Sequence, residues 1–192
     1  MHSPHVPLSL GTPEPPVVNA AGVSKMAAIH DVVVHRPPIH ADHRGELVEM
    51  FTTPEFWNEE FAYAYQTSIR PGMLKGWFAH EKKTDRYHIV RGELLVLLYD
   101  GREGSSTCGV LQKLLLSDRS ARQVLIPPEV WHLSLNVGEE DAILVNLPST
   151  CYDHENPDRF HIPFDSEVIP VNVRSFFPVT FSGAQDAASR FC

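Results

Sequence analysis

The sequence predicts an all-β domain, a small β-barrel or sandwich with one or two short helices, and two observations lead to this fold class. Between Ile29 and Leu147 the chain consists of short segments rich in β-branched and aromatic residues, which are typical of strands. Turn sequences containing Gly and Pro separate these segments at roughly even spacing. Such spacing favours a barrel or sandwich over alternating strands and helices.

The chain of 192 residues divides into three parts. Residues 1–27 are rich in Pro, Ser, Ala and His, and we expect a flexible N-terminal arm there because proline interrupts hydrogen-bonded ladders. Residues 28–175 are predicted to form the single barrel domain, since a chain of this length holds one domain with a substantial core. Residues 176–192 form a C-terminal extension, from which Phe176, Phe177 and Phe181 are expected to pack back on the barrel.

The expected elements follow one another along the barrel domain. The predicted strand segments are 31–34, 46–51, 63–68, 87–90, 94–99, 109–111, 113–116, 122–126, 131–136 and 142–147. Residues 54–61 are predicted to form a brief helix, because Thr53 is a suitable cap and Pro54 suits the first helical position. Trp57 and Phe61 would give this helix an apolar side.

Composition and charge exclude several classes of function. A formal net charge of −8 and a sequence pI near 5.7 argue against a general binder of nucleic acid or of anionic membranes. The sequence contains no apolar run of about 18 residues and no N-terminal pattern of a secretory signal. Cys108, Cys151 and Cys192 have no paired spacing, which predicts reduced thiols and a cytoplasmic location.

Two groups of residues have the spacing of side chains that converge inside a barrel. They are Gly72, Phe78, His80, Asp85 and Gly92, followed by Pro127, Glu129, His132 and Asn136. Alternate residues of a strand point the same way, so positions 78 and 80 are both expected to face the interior. The joint spacing distinguishes His80 and His132 from the other histidines, of which the chain has 11 in total.

These two groups resemble the two motifs of the cupin superfamily, G(x)5HxH(x)3,4E(x)6G and PxG(x)2H(x)3N. The chain keeps both spacings but has Phe78 for the first His, Asp85 for the Glu and Glu129 for the Gly. The resemblance implies a cupin jelly-roll β-barrel whose interior encloses a ligand.

A longer series of motifs is similar to the dTDP-4-dehydrorhamnose 3,5-epimerase family, over roughly residues 31–171. The matching residues include Asp42, Arg44, Gly45, Leu47, Glu49, Gln66, Ser68, Lys75, Gly76, Gly92, Glu93, Asp100, Arg102, Ser105, Thr107, Gly109, Ile126, Pro127 and His132. The resemblance implies a nucleotide-linked 4-keto-6-deoxyhexose as substrate. It also implies substrate-binding positions at Arg44, Glu49, Gln66, Lys75, Phe78 and Arg102.

The resemblance also assigns the catalytic positions, and most of them are changed. In the family a His removes the proton beside the C4 ketone with support from a late Asp, a Lys stabilises the enolate oxygen, and a Tyr acts as acid. The matching positions are Phe78, Asp165, Asp85, and Val145 or Asn146. Only Asp165 keeps the family's residue type, so we expect the ordinary rhamnose-pathway epimerisation to be very slow or absent.

Three functions remain open at this point. The favoured one is a cofactor-free epimerase or isomerase on a nucleotide-linked keto sugar or a related carbonyl compound, with His80 as base or acid and His132 as its partner. Tyr152 or Asp165 would be a second proton carrier. The second is a metal-dependent cupin enzyme in which His80, Asp85 and His132 bind Fe(II), Zn, Mn or Ni. The third is a non-catalytic binder of sugar nucleotides.

The expected partners are a small-molecule substrate and a second copy of the chain. The family resemblance implies a homodimer that pairs through an early strand. The segment Val32–Val34 is β-branched and suited to extend a sheet edge. No nucleic acid or membrane partner is expected.

Overall fold

The computed structural model describes residues 7–22, 24–51, 62–120 and 122–177, and strands dominate these residues. The strands are β1 Val33–His35, β2 Ile39–Asp42, β3 Gly45–Val48, β4 Tyr65–Ile69, β5 Leu74–Ala79, β6 Asp85–Arg91, β7 Glu93–Asp100, β8 Leu111–Ser117, β9 Gln123–Ile126, β10 Val130–Asn136, β11 Ala142–Asn146 and β12 Phe160–His161. Two short 3-10 helices span Leu8–Leu10 and Val173–Phe176. The predicted all-β class is confirmed, whereas the helix expected at 54–61 lies outside the described residues.

Two antiparallel five-stranded sheets make up the barrel. The first sheet has the order β1-β9-β6-β11-β4 and the second has the order β12-β5-β10-β7-β8, while β2 and β3 form a separate hairpin. Apolar side chains from both sheets meet between them. No helix in the described ranges is long and apolar enough to cross a membrane.

Strand β7 shows why part of this sequence lacks the alternation of a half-exposed strand. Its residues Leu94, Val96 and Leu98 join the cluster between the sheets. Leu97 faces the other side, where the C-terminal segment covers the sheet. The covering cluster contains Trp77, Leu133, Leu135, Phe164, Ile169, Val173 and Phe177. A strand buried on both faces reads as a continuous apolar run. The expected packing of Phe176 and Phe177 on the barrel is confirmed, whereas Phe181 lies outside the described residues.

Strand β8 is longer than the sequence pattern indicated. The segments 109–111 and 113–116 were expected as separate strands, but the strand is continuous from Leu111 to Ser117. The polar residue between them, Gln112, is buried, and its Oε1 accepts a hydrogen bond of 2.8 Å from the backbone of Ile29. Gln112 therefore anchors the N-terminal segment without interrupting the strand.

A β-bulge interrupts the regular pairing of β5 with β10. His132 lies opposite Phe78, but Ser134 lies opposite Lys75. The step from His132 to Ser134 covers two residues on β10, whereas the step from Phe78 to Lys75 covers three on β5. Strand β5 therefore carries one extra residue. Because of this extra residue, Lys75 and Phe78 both line the barrel cavity, although regular alternation would put them on opposite faces.

Candidate active site

A cavity of about 410 Å³ lies inside the barrel and combines apolar walls with a few polar groups, as small-molecule sites generally do. Strands from both sheets and the loop at 148–159 supply its walls. Six of its lining residues are Tyr65, Lys75, Phe78, His80, Asp85 and His132.

His80, Asp85 and His132 form a buried cluster in the wall of this cavity. The Oδ2 atom of Asp85 lies 3.2 Å from Nε2 of His80 and 3.4 Å from Nε2 of His132. The two imidazole centroids are 5.5 Å apart. The structure therefore brings together the two histidines and the carboxylate that the sequence spacing singled out.

Backbone carbonyls fix the orientation of both imidazoles. Nδ1 of His80 donates to the carbonyl of Asp158, and Nδ1 of His132 donates to the carbonyl of Val130 at 3.1 Å. A carbonyl oxygen only accepts, so each Nδ1 carries a proton and each Nε2 faces Asp85. Burial lowers the pKa of His132 to about 4, although the Asp85 charge opposes this shift. His132 is therefore neutral at pH 7, with a lone pair on Nε2.

Asp85 remains ionised although only 2% of its surface is exposed. Burial alone would raise the pKa of this carboxyl, but the hydrogen bond with His80 and the neighbouring positive charges hold it below its usual range. One of these charges is the Lys83 ammonium, 3.8 Å from Oδ1. The cluster thus has a stable anion at its centre, able to stabilise a proton on either imidazole.

Asn146 occupies one of the two positions that match the family's acid tyrosine. It is fully buried, and its Nδ2 donates to Oδ1 of Asp85 at 2.8 Å and to the hydroxyl of Tyr65 at 2.9 Å. Its Oδ1 accepts from the backbone of Arg86 at 2.9 Å. By strand alternation the other candidate position, Val145, points to the opposite face. The amide of Asn146 thereby joins a carboxylate and a phenol.

The cavity also contains cations that have no carboxylate partner in the described part of the chain. The Arg159 guanidinium lies 3.7 Å from the ring centroid of Phe78, a stacking that favours arginine. Nζ of Lys75 donates to the hydroxyl of Thr67 at 2.5 Å. Burial and then the Arg159 charge lower the pKa of Lys75. Two cations that lack an acidic partner can neutralise an anionic ligand.

The loop that carries Arg159 is attached to the segment after His80. The carboxylate of Asp158 accepts backbone N–H groups of residues 81–83 at 2.7, 3.0 and 3.0 Å. Burial acts against ionisation of Asp158, but these hydrogen bonds outweigh it and lower its pKa. One residue therefore orients the His80 imidazole through its carbonyl and holds the loop in place through its side chain.

The predicted site residues divide into two groups. His80, His132, Tyr152, Lys75, Phe78 and Asp85 line the cavity. Arg44, Glu49, Gln66, Arg102 and Asp165 are not among the residues that line it. Asp165 is exposed and lies 3.4 Å from Arg174. Arg44 pairs with Asp42 on the exposed hairpin, and Arg102 pairs with buried Asp100.

Several residues of the cavity escaped the sequence analysis. Tyr87 had a detectable signal, because it follows Asp85 by two positions on β6 and alternation places both on one face. Tyr65 and Thr67 on β4 had the same kind of signal. Arg159 had none, because a loop brings it to the cavity and loop paths do not follow a fixed period.

Comparisons with known proteins agree with the geometry. A sequence model of the dTDP-4-dehydrorhamnose 3,5-epimerase family matches residues 26–189. The probable low-salt glycan biosynthesis epimerase Agl13 of Haloferax volcanii is 35% identical over 73% of this chain and 91% of that protein. The spore coat polysaccharide biosynthesis protein SpsL of Bacillus subtilis is 31% identical over 78% of this chain and 99% of that protein.

A solved structure supports the fold. The crystal structure of a dTDP sugar isomerase from Desulfovibrio desulfuricans G20 has a TM-score of 0.69 at 24% sequence identity, covering 74% of this chain and 90% of that chain. The predicted cupin jelly-roll fold is confirmed by this similarity.

Proposed function

The chain belongs to the dTDP-4-dehydrorhamnose 3,5-epimerase family of sugar-nucleotide epimerases, and we propose that it epimerises or isomerises a nucleotide-linked 4-keto-6-deoxyhexose or a related carbonyl compound with reassigned acid–base residues. One observation carries this proposal: the His80–Asp85–His132 cluster and the cations Lys75 and Arg159 open onto the same cavity. The first set suits proton transfer and the second suits an anionic nucleotide. Epimerases of this family act without a cofactor.

The cluster replaces the base that is missing at Phe78. A proton on the carbon beside a ketone is acidic because the resulting enolate is delocalised, and a positioned base removes it. We assign this role to the two imidazoles as a pair: neutral His132 accepts the proton, and His80, which already donates to Asp158 and Asp85, is its partner. Asp85, within 3.4 Å of both Nε2 atoms, stabilises the imidazolium that forms. Because both imidazoles contact one carboxylate, the cluster holds the abstracted proton as a unit.

Phe78 has a different task in this proposal. Its ring cannot move a proton, but it supports the Arg159 guanidinium at 3.7 Å. Arg159 and Lys75 then bind the diphosphate of the nucleotide, for which a guanidinium offers paired donors. Arg159→Gln is expected to weaken binding of dTDP by about 10–100-fold, the equivalent of one charge-assisted hydrogen bond. Calorimetric titration measures this, with exposed Arg174→Gln as the control; equal affinity in both variants would contradict the role.

Deuterium exchange tests the proposed reaction. The protein is incubated in D₂O with 4-keto-6-deoxyhexoses linked to dTDP or UDP, and NMR follows exchange beside the ketone. We expect exchange with at least one sugar, and a loss of about 10²–10⁴-fold in His132→Gln. His154→Gln is the matched control, because His154 lines the same cavity outside the cluster. Binding without any exchange would show a non-catalytic sugar-nucleotide binder and refute the enzymatic proposal.

The same cluster favours a metal-dependent enzyme as second candidate. His80, Asp85 and His132 are all buried and offer one ligand atom each within 4.8 Å of one another. Both imidazoles are held at Nδ1 by carbonyls, which is how metal-ligating histidines are usually oriented. Two His and one carboxylate suit Fe(II) and other divalent ions, which would polarise a substrate carbonyl.

Metal analysis separates the two candidates. Protein purified without a His-tag is analysed for Fe, Zn, Mn and Ni, before and after chelation. A cofactor-free enzyme contains far less than one metal per chain and keeps its exchange activity after chelation. Stoichiometric metal that is lost in Asp85→Asn, together with loss of exchange on chelation, would establish the metal-dependent reading instead.

We also propose that the enzyme is a cytoplasmic homodimer. The hairpin of β2 and β3 exposes Ile39 and Leu47 at 48% and 58% of their surfaces, and β1 is the edge strand of its sheet. Exposed apolar side chains beside a free edge favour pairing with a second copy. Light scattering at micromolar concentration should give twice the chain mass of 21.6 kDa; the mass of one chain would exclude the dimer. The unpaired, exposed Cys108 and Cys151 fit a reducing compartment.

A further inference from the structure

We propose that Tyr65 is the acid that delivers a proton to the substrate face opposite the imidazoles of His80 and His132, and that it replaces the tyrosine missing at position 146. This inference rests on the proposed epimerase function and concerns the second half of that reaction. Inversion at a carbon requires removal of a proton from one face and its return to the other. A second proton carrier must therefore lie across the substrate from the base.

The imidazoles and the Tyr65 phenol come from different sheets, whereas Asp85 lies on β6 in the same sheet as Tyr65. His132 lies on β10 and His80 directly follows β5, both in the second sheet. Tyr65 lies on β4 at the edge of the first sheet. All three side chains line the same cavity. A flat enolate between the sheets would thus have imidazoles on one side and the Tyr65 phenol on the other.

Tyr65 lies one strand away from the position that the family resemblance assigns to the acid. Asn146 on β11 is the register partner of Tyr65 on β4. A tyrosine lost at 146 is therefore compensated by a tyrosine on the adjacent strand, at the same level of the sheet. The amide of Asn146 donates a hydrogen bond to the Tyr65 hydroxyl at 2.9 Å. The side chain at the position assigned to the acid therefore orients the hydroxyl of Tyr65.

The direction of this hydrogen bond leaves the Tyr65 proton available. An amide N–H only donates, so the phenolic oxygen is the acceptor and its own O–H points elsewhere. Within the described ranges that O–H has no protein acceptor bonded to it. Although Tyr65 as a whole is 39% exposed, its hydroxyl end contacts the fully buried Asn146. Burial, followed by the Asp85 charge, raises the pKa of Tyr65 to about 12, so the proton is present at neutral pH.

The other tyrosines of the cavity are less suited to this role. Tyr87 is buried, and burial followed by the Asp85 charge raises its pKa well above the usual range, so its proton is held tightly. Tyr152 is exposed and packs edge-on against His154, with centroids 4.9 Å apart. Tyr63 stacks on Tyr65 at 5.6 Å and so supports the Tyr65 ring. Tyr65 is the tyrosine among these whose hydroxyl is both oriented and free to donate.

Separate measurement of exchange and inversion tests the assignment. Tyr65→Phe removes only the hydroxyl, and the substrate is a keto sugar that the wild-type protein inverts. In D₂O the base alone still removes a proton and returns deuterium to the same face. We therefore expect Tyr65→Phe to keep exchange with retention of configuration within a few-fold of wild type, while inversion falls by about 10²–10⁴-fold. Tyr99→Phe is the matched control and should invert normally, because Tyr99 packs in the outer apolar cluster away from the cavity; Tyr152→Phe tests the competing candidate.

Each alternative outcome overturns the assignment in a recognisable way. Inversion at the wild-type rate in Tyr65→Phe would exclude the acid role. Equal losses of exchange and inversion, with a raised KM, would show that Tyr65 only positions the substrate. Loss of inversion in Tyr152→Phe but not in Tyr65→Phe would move the acid to the loop. Absence of exchange in the wild-type protein would refute the proposed function itself, and this result differs from all the others.

Discussion

Two Asp-x-Arg pairs with the same local geometry offer a measurement of what burial adds to an ion pair. Asp42 accepts the backbone N–H, Nε and one terminal nitrogen of Arg44 at 2.8, 3.2 and 2.6 Å. Asp100 accepts the same three groups of Arg102 at 3.1, 2.9 and 3.0 Å. The first pair lies on the exposed hairpin, whereas the Asp100 side chain is 0% exposed.

The expected effect of Asp100→Asn follows from its surroundings. Besides Arg102, its Oδ2 accepts the hydroxyls of Ser105 and Thr107 at 2.7 and 2.6 Å. Asn keeps the shape but removes the charge, and breaking a buried pair typically costs about 3–5 kcal/mol. We take the lower end, about 3 kcal/mol, because Asn still accepts one hydrogen bond. At about 2–4 °C per kcal/mol for a domain of this size, Tm should fall by about 6–12 °C.

Thermal unfolding followed by circular dichroism at pH 7 provides the assay. Asp42→Asn removes the same local hydrogen bonds at the surface and should leave Tm unchanged within experimental scatter, because exposed pairs contribute little. The pKa of Asp100 lies below its usual range, so its contribution is complete above the unfolded pKa of about 3.9 and is lost as the pH falls through the folded pKa. The curves of Tm against pH for the wild-type protein and for Asp100→Asn should therefore converge in strong acid. Equal Tm losses in both variants would refute the argument from burial.

Two further predictions concern the loop and a turn. Asp158→Ala should reduce hydrogen-exchange protection of the amides at 81–83 at least about tenfold, because three N–H groups lose their acceptor. The control Asp153→Ala removes two such acceptor contacts elsewhere in the loop and should not affect these amides. Unchanged protection in Asp158→Ala would contradict the role of Asp158. Gly92→Ala should lower Tm more than Gly104→Ala, since both have positive φ but only the Cβ at Gly92 would meet backbone, at 2.9 Å from Ala142. This overpacking costs about 1–3 kcal/mol, and equal Tm losses would show that only the backbone angle matters.

The sequence was most informative where strand periodicity decides the outcome. The all-β class and the facing of positions 78 and 80 followed from a period of two, which backbone geometry enforces. The convergence of His80 and His132 followed from motif spacing. Arg159 and Asp158 were not predictable, because their positions depend on hydrogen bonds to a distant turn. Likewise, the pairing of Arg102 with Asp100 depends on burial, which the residue types alone do not reveal.

The bulge between β5 and β10 allows one residue to be lost at this point without a change in the charge of the cavity. The extra residue lies between Lys75 and Phe78, and the neighbour Leu74 packs in the apolar layer on the outer side of the sheet. Deleting one residue between Lys75 and Phe78 would leave two steps on β5, which matches the two steps from His132 to Ser134 on β10, so the pairing would become regular and both side chains would stay in the cavity. Regular pairing without a deletion would instead turn Leu74 into the cavity and the Lys75 ammonium into the apolar layer. In an alignment of homologous chains, a single gap at Gly76 or Trp77 would therefore mark the loss of the bulge, with the charge of the binding site unchanged.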